Sequence, residues 1–193
     1  MSKLKIFLAD LTHTYKAVSN PFMPYAVGLI ASYAKKVFGN KIEIKIFKYP
    51  EKLYQALNNE HCDVLGCSTY VWNSNLAHWA IRTAKRKNPK IFTVLGGPDF
   101  PKDKDQKLEY FKKYDYVDIR VLLEGEVAFS NIIKLILEHG LNDKNKILEN
   151  KIEGCAFINK NKTELLECYS ERIQLLDTIP SPYTTGLMDE FFD

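Results

Sequence analysis

Five short apolar runs, at residues 4–9, 42–47, 64–70, 91–95 and 119–123, are separated by stretches whose apolar residues recur at helical spacing. This alternation constrains the fold more than any other feature of the chain. Successive strands joined by helices pair in parallel through right-handed crossovers, and such a sheet needs helices on both faces to bury it. The expected fold is therefore a doubly wound α/β domain with a five-stranded parallel sheet of flavodoxin-like order 2-1-3-4-5.

Local signals mark the elements. Pro24 opens a helix in which Val27, Ile30, Ala34 and Val37 share a face, and Gly39 ends it. Ile42, Ile44 and Ile46 alternate with other residues, as in a half-exposed strand near an edge. A second helix is expected over 51–59. Asn73 or Ser74 caps a third, whose inner face is predicted to be Leu76, Trp79, Ala80 and Thr83 and which Pro89 stops. A short helix is expected over 106–114, and a strong one over 126–139 with Gly140 as its C-terminal stop. Beyond residue 151 the pattern changes. Runs at 154–158 and 164–168 flank Asn159, Lys160, Asn161 and Lys162, a hairpin signature. Residues 173–193 hold Pro180, Pro182 and Gly186 with no periodicity of their own. The division expected is 1–150 as the Rossmann-like domain and 151–193 as hairpin and linker.

Composition excludes several classes. With 193 residues and 46% of them hydrophobic, the chain buries a core without metal or disulfide staples and is not disordered. No run approaches the ~20 apolar residues of a membrane span, and Asp10 interrupts the first strand too early for a secretory signal. A cytoplasmic protein is expected. A net charge of +3 is too small to argue for nucleic acid, and Arg82, Lys85, Arg86, Lys87 and Lys90 read as a solvated helix face. Cys62, Cys67, Cys155 and Cys168 lack zinc spacing and are expected to be reduced and mostly buried.

In open parallel sheets, ligands bind outside the carboxyl ends of the strands, near the point where strand order reverses. This chain puts Asp10 and Thr12 after the first run, Ser68, Thr69 and Tyr70 at the end of the third, Gly96, Gly97 and Pro98 after the fourth, and Glu124, Gly125 and Glu126 after the fifth. Each has an ordinary explanation: glycines turn chains, hydroxyls cap helices, and carboxylates favour helix N-termini. Their convergence on one rim makes them the candidate site. A phosphoryl-accepting receiver would want an aspartate at the end of the third run, and a dinucleotide-binding fold would want G-x-G-x-x-G after the first; neither is present. A flavin-binding use stays open, since Thr12 and Thr14 supply hydroxyls without the glycine expected between them.

Four segments carry a family resemblance: GCSTYVWN at 66–73, VLGGPDF at 94–100, LLEGEVAF at 122–129 and LDTIPSPY at 176–183. In this order the chain resembles the N-terminal cobalamin-binding domain of B12-dependent radical S-adenosylmethionine enzymes. The resemblance implies cobalamin as the ligand, with its nucleotide tail between the first and third strands and beside the fourth. Asp10, Thr12, Ser68, Thr69, Tyr70, Gly96, Gly97, Pro98, Glu124, Gly125 and Glu126 would surround it, Ser68 and Thr69 offering hydroxyls. It also implies, in a full-length protein, a radical barrel in cis with a 4Fe-4S cluster and S-adenosylmethionine, and methyl transfer or related chemistry. This sequence has no C-x-x-x-C-x-x-C triad, so binding without turnover is expected of it alone, as a fragment or a stand-alone relative.

Two departures bear on the site. Leu123 replaces the first glycine of the family's G-E-G-E run. The D-x-H-x-x-G pattern of cobalamin mutases would put its histidine at Thr12 and its glycine at Tyr15, so His13 is out of register and base-off cobalamin without a histidine on cobalt is expected. Tyr70 or Trp72 could pack at the lower face instead. A valine at Gly97 is expected to block the tail while sparing the fold, and the segment 178–193 to pack weakly on the isolated domain or against a neighbouring molecule.

Overall fold

The computed structural model describes residues 3–15, 17 and 21–192. The elements in chain order are β1 (Leu4–Ala9), α1 (Tyr25–Phe38), β2 (Ile42–Phe47), α2 (Pro50–Asn59), β3 (Val64–Ser68), α3 (Ser74–Lys87), β4 (Phe92–Gly96), α4 (Lys104–Lys113), β5 (Ile119–Val121), α5 (Gly125–His139), α6 (Lys144–Ile147), β6 (Cys155–Ile158) and β7 (Leu165–Cys168). They form one sheet of order β2-β1-β3-β4-β5-β6-β7. The first five strands are parallel in the expected order. The sheet has seven strands rather than five, because the C-terminal hairpin pairs antiparallel with β5 through Arg120↔Ala156 and Val121↔Cys155 and so covers an edge that a five-stranded sheet would expose.

The core follows from the apolar runs. Ile6, Val64, Leu65, Phe92, Leu95 and Ile119 are fully buried, as strands covered on both faces require. Helices α1 and α5 pack together over one face; α2 and α3 pack together, and α3 reaches α4, over the other. The inward stripe of α3 is Ala77, Ala80, Ile81 and Ala84, one position round from the predicted one. Alanines let the helix lie close to the sheet, whereas Trp79 is too bulky for that interface and tilts against Tyr54 at the flank, ring centroids 6.1 Å apart. The basic run is not wholly solvated either. Lys85 and Lys144 converge on Asp118 Oδ2, at 2.5 and 3.1 Å, and both donate to the Ile91 carbonyl, tying the amino-terminal end of the sheet.

The C-terminal connector is docked, against the expectation that it would lie loosely. Ser32 Oγ donates to the Pro180 carbonyl and Lys36 Nζ to the Thr178 carbonyl, each at 2.6 Å. Met188 is fully buried, and a Cβ at Gly28 would stand 3.1 Å from both Pro182 and the Met188 sulfur. A seat of small residues on α1 thus admits the proline and the methionine, and Tyr25 stacks on Tyr183 with centroids 5.4 Å apart. Among the described residues no helix is long and apolar enough to cross a membrane, and no group of three metal-ligating side chains converges.

Candidate functional site

Strand order reverses between β1 and β3, and a cavity of about 440 Å³ opens there, between the sheet and helices α1 and α5. Leu8, Gly66, Cys67, Ser68, Val94, Gly96 and Val121 line its sheet side; Val27, Ile30 and Phe129 close it from the helices. Tyr70, Gly97, Pro98, Leu123, Glu124, Gly125 and Glu126 stand around it as well. The volume lies within the range of small-molecule sites. A larger open trough of about 750 Å³ runs along β2 and α2 to residues 186–190, but it sits at the sheet edge, away from the switch point.

The rim is rigidly built. Asp10, at the end of β1, accepts from Ser68 Oγ at 2.6 Å and Asn73 Nδ2 at 3.3 Å. Burial pushes its carboxyl above the usual range, against the Ser68 bond, the Lys48 charge and the Asn73 bond that favour ionisation. Asn73 is fully buried and also donates to the Leu11 carbonyl while accepting from the Tyr70 N–H, so it stitches the β1 and β3 loops together rather than capping α3 with its side chain. Thr69 is buried too, its hydroxyl donating to the Gly96 carbonyl at 2.7 Å and accepting from Arg120.

Arg120 is the residue that pattern reading missed. It lies on β5 with no exposed surface, its Nη1 donating to Thr69 Oγ1 at 2.9 Å and its Nη2 to the carbonyls of Gly97 at 3.0 Å and Asp99 at 3.2 Å. The guanidinium stacks 4.7 Å from the Phe100 ring centroid. Burial lowers its pKa from the ordinary arginine value, opposed chiefly by Tyr110. It holds the Gly96–Pro98 turn from beneath. The signal in the sequence was a lone charged residue inside an apolar strand, which is costly unless it is paired.

Gly97 has φ +98°, and a Cβ there would run into the Thr69 carbonyl oxygen. A valine at 97 would therefore break the turn, contrary to the expectation that the fold would tolerate it. Leu123 has φ +53°, the left-handed conformation that glycine favours. The chain thus keeps the backbone of a glycine at this place and bears strain of about 1–2 kcal/mol.

The two acids after β5 behave differently. Glu124 is half-buried and turned to the connector, its Oε2 accepting from the Ile173 N–H at 3.0 Å. Glu126 lies in the first turn of α5, one turn before Phe129, with 9% of its surface exposed. Burial raises its pKa, and the Glu124 charge adds to that. On the other side of the mouth, Tyr70 and Trp72 stack with ring centroids 4.6 Å apart and planes 5° from parallel, and Trp72 is mostly exposed. His13 Nε2 lies 3.0 Å from the Trp72 carbonyl. Of the eleven residues picked from the sequence, Ser68, Tyr70, Gly96, Gly97, Pro98, Glu124, Gly125 and Glu126 line the cavity. Asp10, Thr12 and Thr69 do not line it: Asp10 and Thr69 are bonded to Ser68 and Gly96 of the wall, and the Thr12 N–H is bonded to the Lys48 carbonyl.

A family model described as the B12 binding domain matches residues 18–133, well over half of the chain. The chain belongs to this family. Over 175 residues the B12-binding domain is 29% identical to 2-(S-pantetheinyl)-carbapenam-3-carboxylate methyltransferase of Streptantibioticus cattleyicolor. Over 173 residues it is 28% identical to the cobalamin-dependent radical SAM methyltransferase TokK of Streptomyces tokunonensis. Each alignment takes in 88% of this chain and 24% of the relative, so the chain spans about a quarter of the length of these proteins. Solved structures of the cobalamin-dependent S-adenosylmethionine radical enzyme OxsB share the fold. The apo form gives a TM-score of 0.65 at 13% identity, covering 100% of this chain and 25% of that one. The form with aqua-cobalamin and S-adenosylmethionine gives 0.64 at 14% identity, covering 98% and 26%.

The residues present suit a corrinoid. The cavity is a slot, mostly apolar and flanked by Gly66, Gly96 and Gly97, open at the rim, and a Cβ on Gly96 would project toward Val121 and narrow it. An apolar cavity of about 440 Å³ with glycines at its wall is of a size to take the heterocycle of a nucleotide tail.

Proposed function

We propose that this chain binds base-off cobalamin, with the nucleotide tail in the cavity and the corrin over the rim. Cobalamin supplies an organometallic cobalt centre able to carry a methyl group. The observation that carries the reading is a glycine-flanked apolar slot at the switch point of a B12-binding domain. Ser68, Gly96, Gly97 and Pro98 would bound the tail, with Asp10 and Thr69 acting through the groups they hold; Thr12 lies in the loop after β1, its N–H on the Lys48 carbonyl. Ser68 gives its proton to Asp10, so its oxygen is left to accept from the tail. Glu124, Gly125 and Glu126 would close the far wall.

No protein imidazole meets cobalt in this reading. Thr12 occupies the register position of the ligand, and His13 is engaged at the Trp72 carbonyl. The Tyr70–Trp72 stack would offer an aromatic surface to the lower corrin face. In the whole protein we infer two parts: residues 1–150 as the cobalamin domain, and 151–193 as hairpin and linker toward a radical barrel in cis. That barrel would bind the 4Fe-4S cluster and S-adenosylmethionine and carry methyl transfer or related radical chemistry. The names of the two methyltransferase relatives support this.

Titration with hydroxocobalamin, and separately with flavin mononucleotide, tests the reading by absorption. A stoichiometric cobalamin complex with base-off bands is expected, and preference for the flavin would overturn it. Electron paramagnetic resonance of the cob(II)alamin complex is expected to lack axial nitrogen coupling. Coupling that disappears in His13→Ala would reinstate a histidine ligand.

A further inference from the structure

β2 is an outer strand of the sheet and pairs only with β1. It has none of the devices that commonly protect an edge. It contains no proline, no bulge interrupts its six-residue register with β1, and it is longer than β7, the four-residue strand at the other edge. The Asp10 N–H donates to the Phe47 carbonyl, so Phe47, Lys45 and Glu43 turn their peptide groups to β1, and Ile42, Ile44 and Ile46 turn theirs away. Lys35 Nζ, 3.1 Å from the Ile42 carbonyl, meets one of these outward groups. The N–H and C=O groups of Ile44 and Ile46 have no protein partner among the described residues. Both residues line the open trough of about 750 Å³ that runs along β2 between α2 and residues 186–190.

The side chains select an occupant for that edge. Glu43 and Lys45 share one face of β2 and are opposite in sign, with Ile44 half-buried between them. An antiparallel copy of the same strand can exchange hydrogen bonds with the outward groups in few registers. With the two-fold axis at Ile44, Ile44 faces its own counterpart. Glu43 of each copy then stands opposite Lys45 of the other, at the non-hydrogen-bonded positions where side chains come closest. An axis at residue 43 sets Glu43 against Glu43 and Lys45 against Lys41; an axis at 45 sets Lys45 against Lys45; an axis nearer either end shortens the overlap. We propose that β2 is the seat of a symmetric dimer, in which two copies of the chain join their sheets edge to edge in the register centred on Ile44. The partner strand runs antiparallel, so the two slot mouths point in opposite directions and the pairing itself blocks neither.

Sedimentation velocity of the full chain, from about 1 to about 500 µM, is expected to show a reversible monomer–dimer equilibrium with Kd of roughly tens of micromolar, as suits a small contact. Glu43→Lys and Lys45→Glu each turn both attractive pairs into repulsive ones, and each alone is expected to weaken the dimer about tenfold or more. An equal mixture of the two variants is expected to associate again, because one offers lysine at both positions and the other glutamate at both. Lys45 also bridges Glu60 at 2.6 Å, but both side chains are exposed, so its loss is expected to cost the fold little, and thermal melting checks this. Amide exchange of the parent reads the same contact without any variant. The N–H groups of Ile44 and Ile46 are expected to exchange more slowly as concentration rises, while those of Glu43 and Lys45, turned to β1, stay as they were. A parent that remains monomeric throughout the range would overturn the proposal, as would single variants that dimerise like the parent, a mixture that fails to associate, or Ile44 and Ile46 amides that ignore concentration.

Discussion

Gly96 and Gly97 are adjacent, and the structure gives them separable duties. At Gly97 an alanine meets two obstacles. With φ at +98°, a residue with a Cβ bears about 1–3 kcal/mol of backbone strain. The Cβ also points at the Thr69 carbonyl, which cannot retreat freely: the Thr69 N–H is bonded to the Gly96 carbonyl at 2.7 Å, the Asp99 N–H reaches the Thr69 carbonyl at 3.3 Å, and Arg120 holds the Thr69 hydroxyl. Relieving the contact costs a further hydrogen bond, about 1 kcal/mol. Gly97→Ala is therefore expected to lose about 3 kcal/mol, a fall in Tm of roughly 6–12 °C for a chain of this size.

At Gly96 an alanine meets only the Val121 Cβ, at 3.7 Å, and no positive φ. Its stability is expected to stay within about 1 kcal/mol of the parent. Its methyl would narrow the slot, and cobalamin affinity should fall roughly five- to thirtyfold, the range of 1–2 kcal/mol. Scanning calorimetry and absorption titration of the two variants read both effects. A Gly97→Ala protein that melts within 2 °C of the parent, or a Gly96→Ala protein that binds cobalamin as the parent does, would refute this division of labour.

Leu123→Gly removes left-handed strain of about 1–2 kcal/mol but loosens the unfolded chain by about half of that, so a small rise in Tm is expected; a fall would mean that the exposed leucine makes contacts of value. Arg120→Lys is expected to be more damaging than Arg120→Met in chemical denaturation, because lysine keeps the buried charge without the fork that reaches Thr69, Gly97 and Asp99, whereas methionine removes the charge; the opposite order would refute the account of Arg120. His78 sits between the Tyr110 and Tyr116 hydroxyls, 3.2 Å from each, and burial, then the Arg120 charge, brings its pKa down to about 4 against a smaller opposing pull from Asp99. Between pH 6.5 and 4 the unfolded chain then binds more protons at this group than the folded one. Stability should fall as the pH is lowered across that window by at most about 3 kcal/mol, and a His78→Gln protein with the same slope would sink the assignment.

The strand order was legible because each apolar run and helical period reports on its own local face, and right-handed crossovers leave few ways to connect them. The rim was legible as a set of strand ends, and the eight picked residues that line the slot all come from it. What escaped depends on partners far along the chain. Arg120 is buried because Phe100 and Thr69 are there to receive it, and no period within β5 announces that. Asn73 has the position of a helix cap, and only the closeness of β1 to β3 turns its side chain to Asp10 and Leu11. The connector has no period at all; its docking is written in Gly28 and Ser32 on α1, which a helical pattern records merely as small residues. Leu123 shows the converse. As a residue it departs from the glycine of the resembled run, yet its φ of +53° keeps the conformation that glycine would adopt, so the requirement at this place is the path of the chain from β5 into α5. That path carries the N–H groups of Gly125 and Glu126 to the far wall of the slot, and the position can tolerate leucine because the side chain projects into solvent at the mouth.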